Sequence, residues 1–197
     1  MTEQTEQKPI NPYGQTKLTA EQMLKDFHKA YGTEFVSLRY FNAAGADLEN
    51  EIGEDHNPET HLIPLAIQAA HNPQRPLTVM GSDYATDDGT CVRDYIHVSD
   101  LAKAHVFALS KISELSESDR FLNLGTGVGT SILQIISMVE KVTQKKVTRN
   151  VSERRLGDPP VLIANGEKAK KVLGWQPRHS DIETIITTAN SWYLKSK

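Results

Sequence analysis

Helical and strand-like segments alternate along nearly the whole chain, and this pattern limits the fold more than any other feature. Asn11 and Pro12 suit the N-cap and the first position of a helix that continues to about Tyr31, and Gly32 is typical of the residue that ends one. A strand-like apolar run at 34–42 follows directly. Such alternation predicts an α/β fold. Further strands are predicted at 76–81, within 83–98 and at 120–125, and further helices at 60–72, 101–112, 131–142, 166–173 and 180–194.

Composition excludes several classes of function. The 197 residues carry a formal net charge of -3, so neither nucleic acid nor a membrane surface is an expected partner. The opening residues are polar, and no apolar run approaches the roughly 18 residues of a membrane span. Cys91 is the only cysteine, so no intrachain disulfide can form. We therefore expect a reduced, cytoplasmic protein.

Tyr13 and Lys17 stand four residues apart in the run NPYGQTK. A free phenol has a pKa near ~10, too high for a base at neutral pH, but a cation within about 4–6 Å favours the phenolate. Because residues i and i+4 share one face of a helix, this pair can form a tuned acid/base. The spacing alone is a weak signal, since an exposed tyrosine beside a solvated lysine has the same pattern.

Five separate stretches carry a more specific signal. They are NPYGQTK (11–17), RYFNAAGAD (39–47), DGTCVRDYIHVSDLAKAH (88–105), NLGTGVGTS (123–131) and RRLGDPP (154–160). In this order and at these intervals they resemble the nucleotide-sugar branch of the extended short-chain dehydrogenase/reductase superfamily, and most of all the UDP-glucose 4-epimerase family. The resemblance covers nearly the whole chain.

The resemblance implies a reaction and the residues that carry it. Tyr13 would take the proton of the 4-hydroxyl of UDP-glucose or UDP-galactose, C4 would give a hydride to a bound NAD, and the hydride would return to the other face of the rotated 4-keto sugar. Lys17 would lower the pKa of Tyr13 and bind the nicotinamide ribose, and Phe41 would contact the cofactor. Leu162 falls at a variable position of the sugar pocket, so a preference for plain or N-acetylated hexoses stays open. The implied substrate contacts are Asn42, His61, Leu62, Thr78, Val79, Met80, Arg93, Arg155, Asp158 and Leu162.

Different residues among these implied contacts match different parts of the nucleotide sugar. Arg93 and Arg155 match diphosphate contacts, and a planar guanidinium suits that role because it makes paired, charge-assisted hydrogen bonds. Asp158 matches a carboxylate on the uridine ribose, and the backbone at 78–80 matches the segment against the uracil. His61 stands where some members of the family carry an asparagine that contacts the diphosphate.

Other polar residues in these stretches are interpreted as structural. His97 is expected to be a satisfied hydrogen-bonding residue, Asp94 a structural carboxylate and Asp100 a helix cap. His56 and His61 can also be seen as a metal pair, but no third ligand is evident from the sequence. A loop without a metal is therefore predicted.

A Gly-rich dinucleotide fingerprint opens the full members of this family, and residues 1–12 cannot supply one. The run GTGVGT (125–130) lies between a strand and a helix, but it follows the Tyr13 helix and lacks an acidic residue close to twenty positions on. We predict that it is the turn into a helix opened by the capping box of Ser131 and Gln134.

The missing fingerprint leads to an expected domain organisation. Residues 1–46 would be the C-terminal remnant of a Rossmann NAD-binding domain, and 47–197 mainly the smaller UDP-sugar-binding domain, with 88–110 packing back on the Rossmann part. The strand at 34–42 would lack its usual neighbours, so an exposed edge and association with another chain are expected.

Three hypotheses stay open from the sequence. The first is a UDP-hexose 4-epimerase by family, inactive alone and completed by a missing N-terminal half. The second is a non-catalytic module that binds UDP-sugars or a partner, and a homodimer is a further expected assembly. The third is a related nucleotide-sugar dehydratase or decarboxylase, although these enzymes need further acid/base residues beside Tyr13.

Overall fold

Within residues 1–196, which the structure describes, this computed structural model has six α-helices and nine short strands, and it confirms the α/β prediction. The helices are α1 (Pro12–Tyr31), α2 (Leu62–His71), α3 (Val98–Lys111), α4 (Ile132–Thr143), α5 (Glu167–Leu173) and α6 (Ile182–Lys195). The strands are β1 (Ser37–Tyr40), β2 (Asn42–Ala44), β3 (Leu77–Met80), β4 (Val92–Arg93), β5 (Tyr95–His97), β6 (Phe121–Leu124), β7 (Thr130–Ser131), β8 (Arg149–Ser152) and β9 (Val161–Leu162).

The strands form four small sheets. Three are parallel pairs, β1 with β6, β2 with β5 and β3 with β8. In the fourth, β4 lies between the antiparallel β7 and the parallel β9. The single strand predicted at 34–42 is divided at Phe41, because its two halves bond to different neighbours. One run of chain therefore crosses from the β6 ladder to the β5 ladder.

Two groups of buried apolar side chains hold the elements together. In the first, α2, α4 and α6 pack around fully buried residues such as Ile67, Ile135 and Ile185. In the second, β5, β6, α3 and α5 surround Trp175, whose indole N–H donates to the carbonyl of Asp100 at 2.9 Å. The division at residue 46 stays a prediction.

α1 begins and ends as predicted, but its side chains are not buried by the rest of the described chain. The Asn11 side chain accepts from the backbone of Gly14, and Gly32 ends the helix at a φ of 68°. None of its residues is fully buried, and Met23 and Phe27 are 54% and 49% exposed. α1 therefore presents apolar side chains to the solvent.

Asp100 is not the helix cap that was predicted. α3 begins three residues earlier than predicted, at Val98, because the Nδ1 atom of His97 accepts from the backbone of Ser99 and so provides the cap. Asp100 lies inside the first turn, fully buried, and its Oδ2 atom accepts from the backbone at 178 and 179 and from the Ser180 hydroxyl at 2.7–2.9 Å. Its role is to fix the segment that follows α5.

Among the described residues, no helix combines the length and the apolar character that crossing a membrane requires.

Candidate functional site

Tyr13 and Lys17 occupy the exposed N-terminal end of α1. The Lys17 ammonium lies 5.1 Å from the centre of the Tyr13 ring, so the two side chains share one helix face as their spacing predicts. Tyr13 is 71% exposed. The phenol and the cation are therefore close together and open to a ligand that approaches this end of the helix.

A cavity of about 180 Å³ lies among β2, the loop before α2, α2 itself and α6. Three of the predicted substrate residues, Asn42, His61 and Leu62, line it. Trp192 and Tyr193 of α6 form part of its wall. The sequence carries no signal for these last two, since they lie far along the chain from Asn42, His61 and Leu62.

Arg93 and Asp158 are in direct contact. The guanidinium, only 9% exposed, forms an ion pair with the Asp158 carboxylate, and its Nη1 atom donates to the Val92 carbonyl at 2.8 Å. Leu162 stands opposite Arg93 in the parallel pair of β4 and β9. The residues predicted for the diphosphate, the ribose and the sugar pocket thus lie together, although Arg93 is separated from the other two by about seventy positions in the chain.

The backbone of residue 94 links this group to the cavity. The amide of Asn42 donates to the Asp94 carbonyl at 3.0 Å, and the Asp94 amide donates to the Leu162 carbonyl at 3.1 Å. Phe41, half-buried, immediately precedes Asn42 at the break between β1 and β2. Three separate chain segments are therefore held in register by main-chain hydrogen bonds.

The residues predicted against the uracil and the second diphosphate contact lie on other elements. Thr78, Val79 and Met80 belong to β3, which pairs with β8; Val79 is buried and Thr78 is exposed. Arg155 is exposed in the loop after β8, and its carbonyl accepts from the Asp158 amide at 3.3 Å. The structure does not join these residues to the cavity beside Asn42.

Tyr84 lies near Arg93 and Asp158, and no motif in the sequence marks it as a site residue. Its ring is 4% exposed, its hydroxyl has no hydrogen-bond partner among the described residues, and the Arg154 guanidinium stacks 4.5 Å from the ring centre. Burial, reinforced by the nearby Asp158, raises the pKa of the Tyr84 phenol. A buried hydroxyl without a partner is uncommon, and no sequence signal distinguishes it from a core tyrosine.

The Gly-rich turn at 125–130 is held from inside by a carboxylate. Asp94, fully buried, accepts from the amides of Thr126 at 3.0 Å, Gly127 at 3.0 Å and Ala164 at 3.2 Å, and from the Thr126 hydroxyl at 2.7 Å. A Cβ atom on Gly125 would lie 2.7 Å from this carboxylate, so the close approach requires a glycine. Because these amides already donate to the Asp94 carboxylate, they are not available to bind a pyrophosphate. The predicted capping box of Ser131 and Gln134 follows it and is confirmed.

Comparison with known proteins now places the chain. A profile of the NAD dependent epimerase/dehydratase family matches residues 1–125. The chain belongs to this family. Two curated relatives are UDP-glucose 4-epimerases: one from Streptococcus mutans is 50% identical over 191 residues, and one from Rhizobium meliloti is 52% identical over 195.

Solved structures of family members agree with this assignment. A UDP-glucose 4-epimerase from Brucella ovis in complex with NAD superimposes with a TM-score of 0.86 and 52% identity over 93% of this chain and 56% of its own. One from Bifidobacterium longum in complex with NAD+ and UDP gives a TM-score of 0.90 and 38% identity over 99% of this chain and 58% of its own.

The match is nearly complete for this chain but partial for its relatives. It includes 97% of the chain and 57% of the S. mutans relative, and 99% of the chain and 59% of the R. meliloti relative. The chain therefore spans somewhat over half the length of these family members.

Proposed function

We propose that this chain provides the Tyr/Lys pair and the UDP-sugar site of a UDP-glucose 4-epimerase, which interconverts UDP-glucose and UDP-galactose in the cytoplasm. The observation that carries the proposal is the placement of the Tyr13 phenol and the Lys17 ammonium on one exposed face at the start of α1, 5.1 Å from ring centre to nitrogen. The identity of about half the residues to UDP-glucose 4-epimerases supports it along the whole chain.

Tyr13 moves the proton in the proposed reaction. Its phenolate accepts the proton of the sugar 4-hydroxyl, and its phenol returns it after the sugar has rotated. Lys17 places its positive charge beside Tyr13, with the ammonium 5.1 Å from the ring centre. NAD, when bound, would supply a reversible hydride acceptor for C4 of the sugar, so that the reaction needs no net redox change.

The anchor for the nucleotide is the group around Arg93. Its buried guanidinium binds the diphosphate and Asp158 accepts from the uridine ribose, with Arg155, His61 and the backbone at 78–80 as the remaining polar contacts. Arg93 and Asp158 are paired with each other here, so binding exchanges part of that ion pair for contacts to the nucleotide. Asn42, Leu62 and Leu162 line the sugar side.

We propose that the chain holds one end of NAD and not the other. Tyr13, Lys17 and Phe41 are the residues that would hold the nicotinamide end. The turn at 125–130 does not fit the pyrophosphate, because the Asp94 carboxylate occupies its amides.

We infer that another polypeptide segment completes the site. The apolar side chains of α1 are a surface for it, since Met23 and Phe27 are 54% and 49% exposed. Within residues 1–196, β1 bonds to β6 as its one strand neighbour, so its other edge is available for pairing. Completion by a segment like the uncovered part of the longer relatives is preferred over a homodimer, which provides no dinucleotide fingerprint.

The decisive experiment is complementation. The purified chain is mixed with, or fused behind, the part of the S. mutans relative that it does not cover, and UDP-galactose conversion is measured. We expect turnover only in the completed protein and a loss of at least about 100-fold in kcat for Tyr13→Phe. Tyr31→Phe, at the other end of α1, is the control and should retain full activity. Turnover that survives Tyr13→Phe would refute the assignment of the base.

A non-catalytic UDP-sugar-binding module is the second candidate. The occupied amides of the 125–130 turn favour it for the chain alone, since the proposed nucleotide anchor is present without a pyrophosphate site. Calorimetry distinguishes the two: UDP binding by the chain with no turnover after completion supports the module.

A further inference from the structure

Four side chains from one short loop converge at the edge of the cavity, and we call them the His–Glu cluster: Glu54, His56, Glu59 and His61. One potential ligand atom from each residue lies within 4.8 Å of all the others. The His56 Nδ1 atom is 2.7 Å from Glu54 Oε1, and the His61 Nδ1 atom is 3.1 Å from Glu59 Oε1 and also contacts Glu54 Oε1. The two carboxylates are the partners that the histidine spacing alone did not reveal.

The donor set is the one that Zn²⁺ uses. Two imidazole nitrogens and two carboxylate oxygens suit a borderline metal in a four-coordinate site. With Zn–N and Zn–O bonds of about 2.0–2.2 Å, neighbouring ligands of a tetrahedron lie about 3.3–3.5 Å apart. The N–O separations of 2.7 and 3.1 Å in the cluster would lengthen by less than an ångström, and the farthest pair of ligand atoms, within 4.8 Å, would close by up to about 1.5 Å.

The loop that carries the cluster is held in place by other contacts. Glu59 Oε1 accepts from the backbone amides of Thr60 at 2.7 Å and His61 at 2.8 Å, which fixes its carboxylate. The Trp192 indole donates to the Glu54 carbonyl at 2.9 Å and ties the start of the loop to α6. Outer contacts of this kind orient metal ligands before the metal arrives.

Access and charge also suit an ion. The carboxylate side chains are 23% and 19% exposed, and the two imidazoles, 57% and 56% exposed, leave a path from the solvent. Both imidazole Nδ1 atoms face the same carboxylate oxygen, Glu54 Oε1, with ring centres 5.0 Å apart. A cation between them would satisfy all four groups at once.

We propose that the His–Glu cluster is a binding site for Zn²⁺ or a similar divalent transition metal. The site is distinct from the Tyr13 group, and its test does not depend on UDP-sugar binding because it measures metal alone. His61 is shared with the proposed diphosphate contacts, so His56 and Glu54 are the residues to vary.

The test is a Zn²⁺ titration of the tag-free, chelator-stripped chain in competition with a chromophoric chelator. We expect one equivalent of Zn²⁺, a four-coordinate absorption spectrum with Co²⁺, and a loss of affinity of at least about tenfold in His56→Gln and in Glu54→Gln. His105→Gln, which removes an exposed imidazole on α3, is the matched control and should bind as the unmodified chain does. Circular dichroism establishes that each variant is folded.

Two results would overturn the proposal. One is an unmodified chain that retains no Zn²⁺ after equilibration with an excess of the metal. The other is folded His56→Gln and Glu54→Gln variants that bind as tightly as the His105→Gln control, because the metal would then lie elsewhere.

Discussion

Replacing Asp94 by asparagine removes the buried carboxylate that holds the Gly-rich turn from inside. The carboxylate takes three backbone amides and one hydroxyl within 2.7–3.2 Å. An asparagine retains one oxygen and presents an NH₂ group to the remaining donors. Orphaning one buried amide costs about 1–3 kcal/mol, and the remaining bonds lose their charge assistance. We expect the free energy of unfolding to fall by about 2–4 kcal/mol.

The assay is urea unfolding followed by circular dichroism, with thermal unfolding beside it. For a chain of this size a loss near 3 kcal/mol lowers the Tm by roughly 6–12 °C. Asp181→Asn is the matched control: Asp181 caps α6 by accepting from the Thr184 amide, and asparagine caps equally well. A stability of Asp94→Asn within about 0.5 kcal/mol of this control would refute the reasoning, since the turn would then not depend on the charge.

Two further predictions concern buried groups outside the Tyr13 pair. Tyr84→Phe removes a buried hydroxyl that has no partner among the described residues, so we expect the free energy of unfolding to rise by about 1 kcal/mol in urea denaturation. Burial lowers the pKa of His97 below 6.5, with Asp100 opposing, so the neutral ring is favoured and its contribution to stability is lost as pH falls through that lowered value. His97→Asn retains a capping side chain, and its stability should fall less than that of the unmodified chain between pH 7.5 and pH 5.

Controls for both exist in the chain. Tyr31→Phe, at a 77% exposed ring, should leave stability unchanged, and a Tyr84→Phe variant less stable than it would mean that the buried hydroxyl is bonded. His105→Asn should retain the pH dependence of the unmodified chain. An unaltered pH dependence in His97→Asn would show that His97 is not the group that titrates.

Local signals in the sequence determined much of the fold. The cap at Asn11, the αL glycine at 32 and the capping box at Ser131 depend on a few neighbouring residues, and all three are where they were predicted. The predicted start of α3 was wrong. Two possible capping residues, His97 and Asp100, stand three residues apart, and only tertiary contacts decide which of them caps the helix.

The candidate site could be predicted from the sequence only where its residues are close together in the chain. Tyr13 and Lys17 meet because a helix brings them together. The contact of Arg93 with Asp158 and the arrival of Trp192 at the cavity depend on strand pairing and helix packing, which local sequence does not encode. Glu54 and Glu59 were missed for a related reason, since a loop without periodicity gives no rule for which side chains converge.

The main-chain bonds of residue 94 have a practical meaning for the sugar pocket proposed above. Asn42 and Leu162 are both fastened to that one peptide segment, next to Arg93. An exchange of the Leu162 side chain would therefore reshape one wall while the anchoring groups keep their positions. An insertion or deletion anywhere in 92–95 would displace Asn42, Arg93 and Leu162 together. In the proposed site, single substitutions can therefore change which sugar fits, whereas the length of the segment at 92–95 has to stay the same.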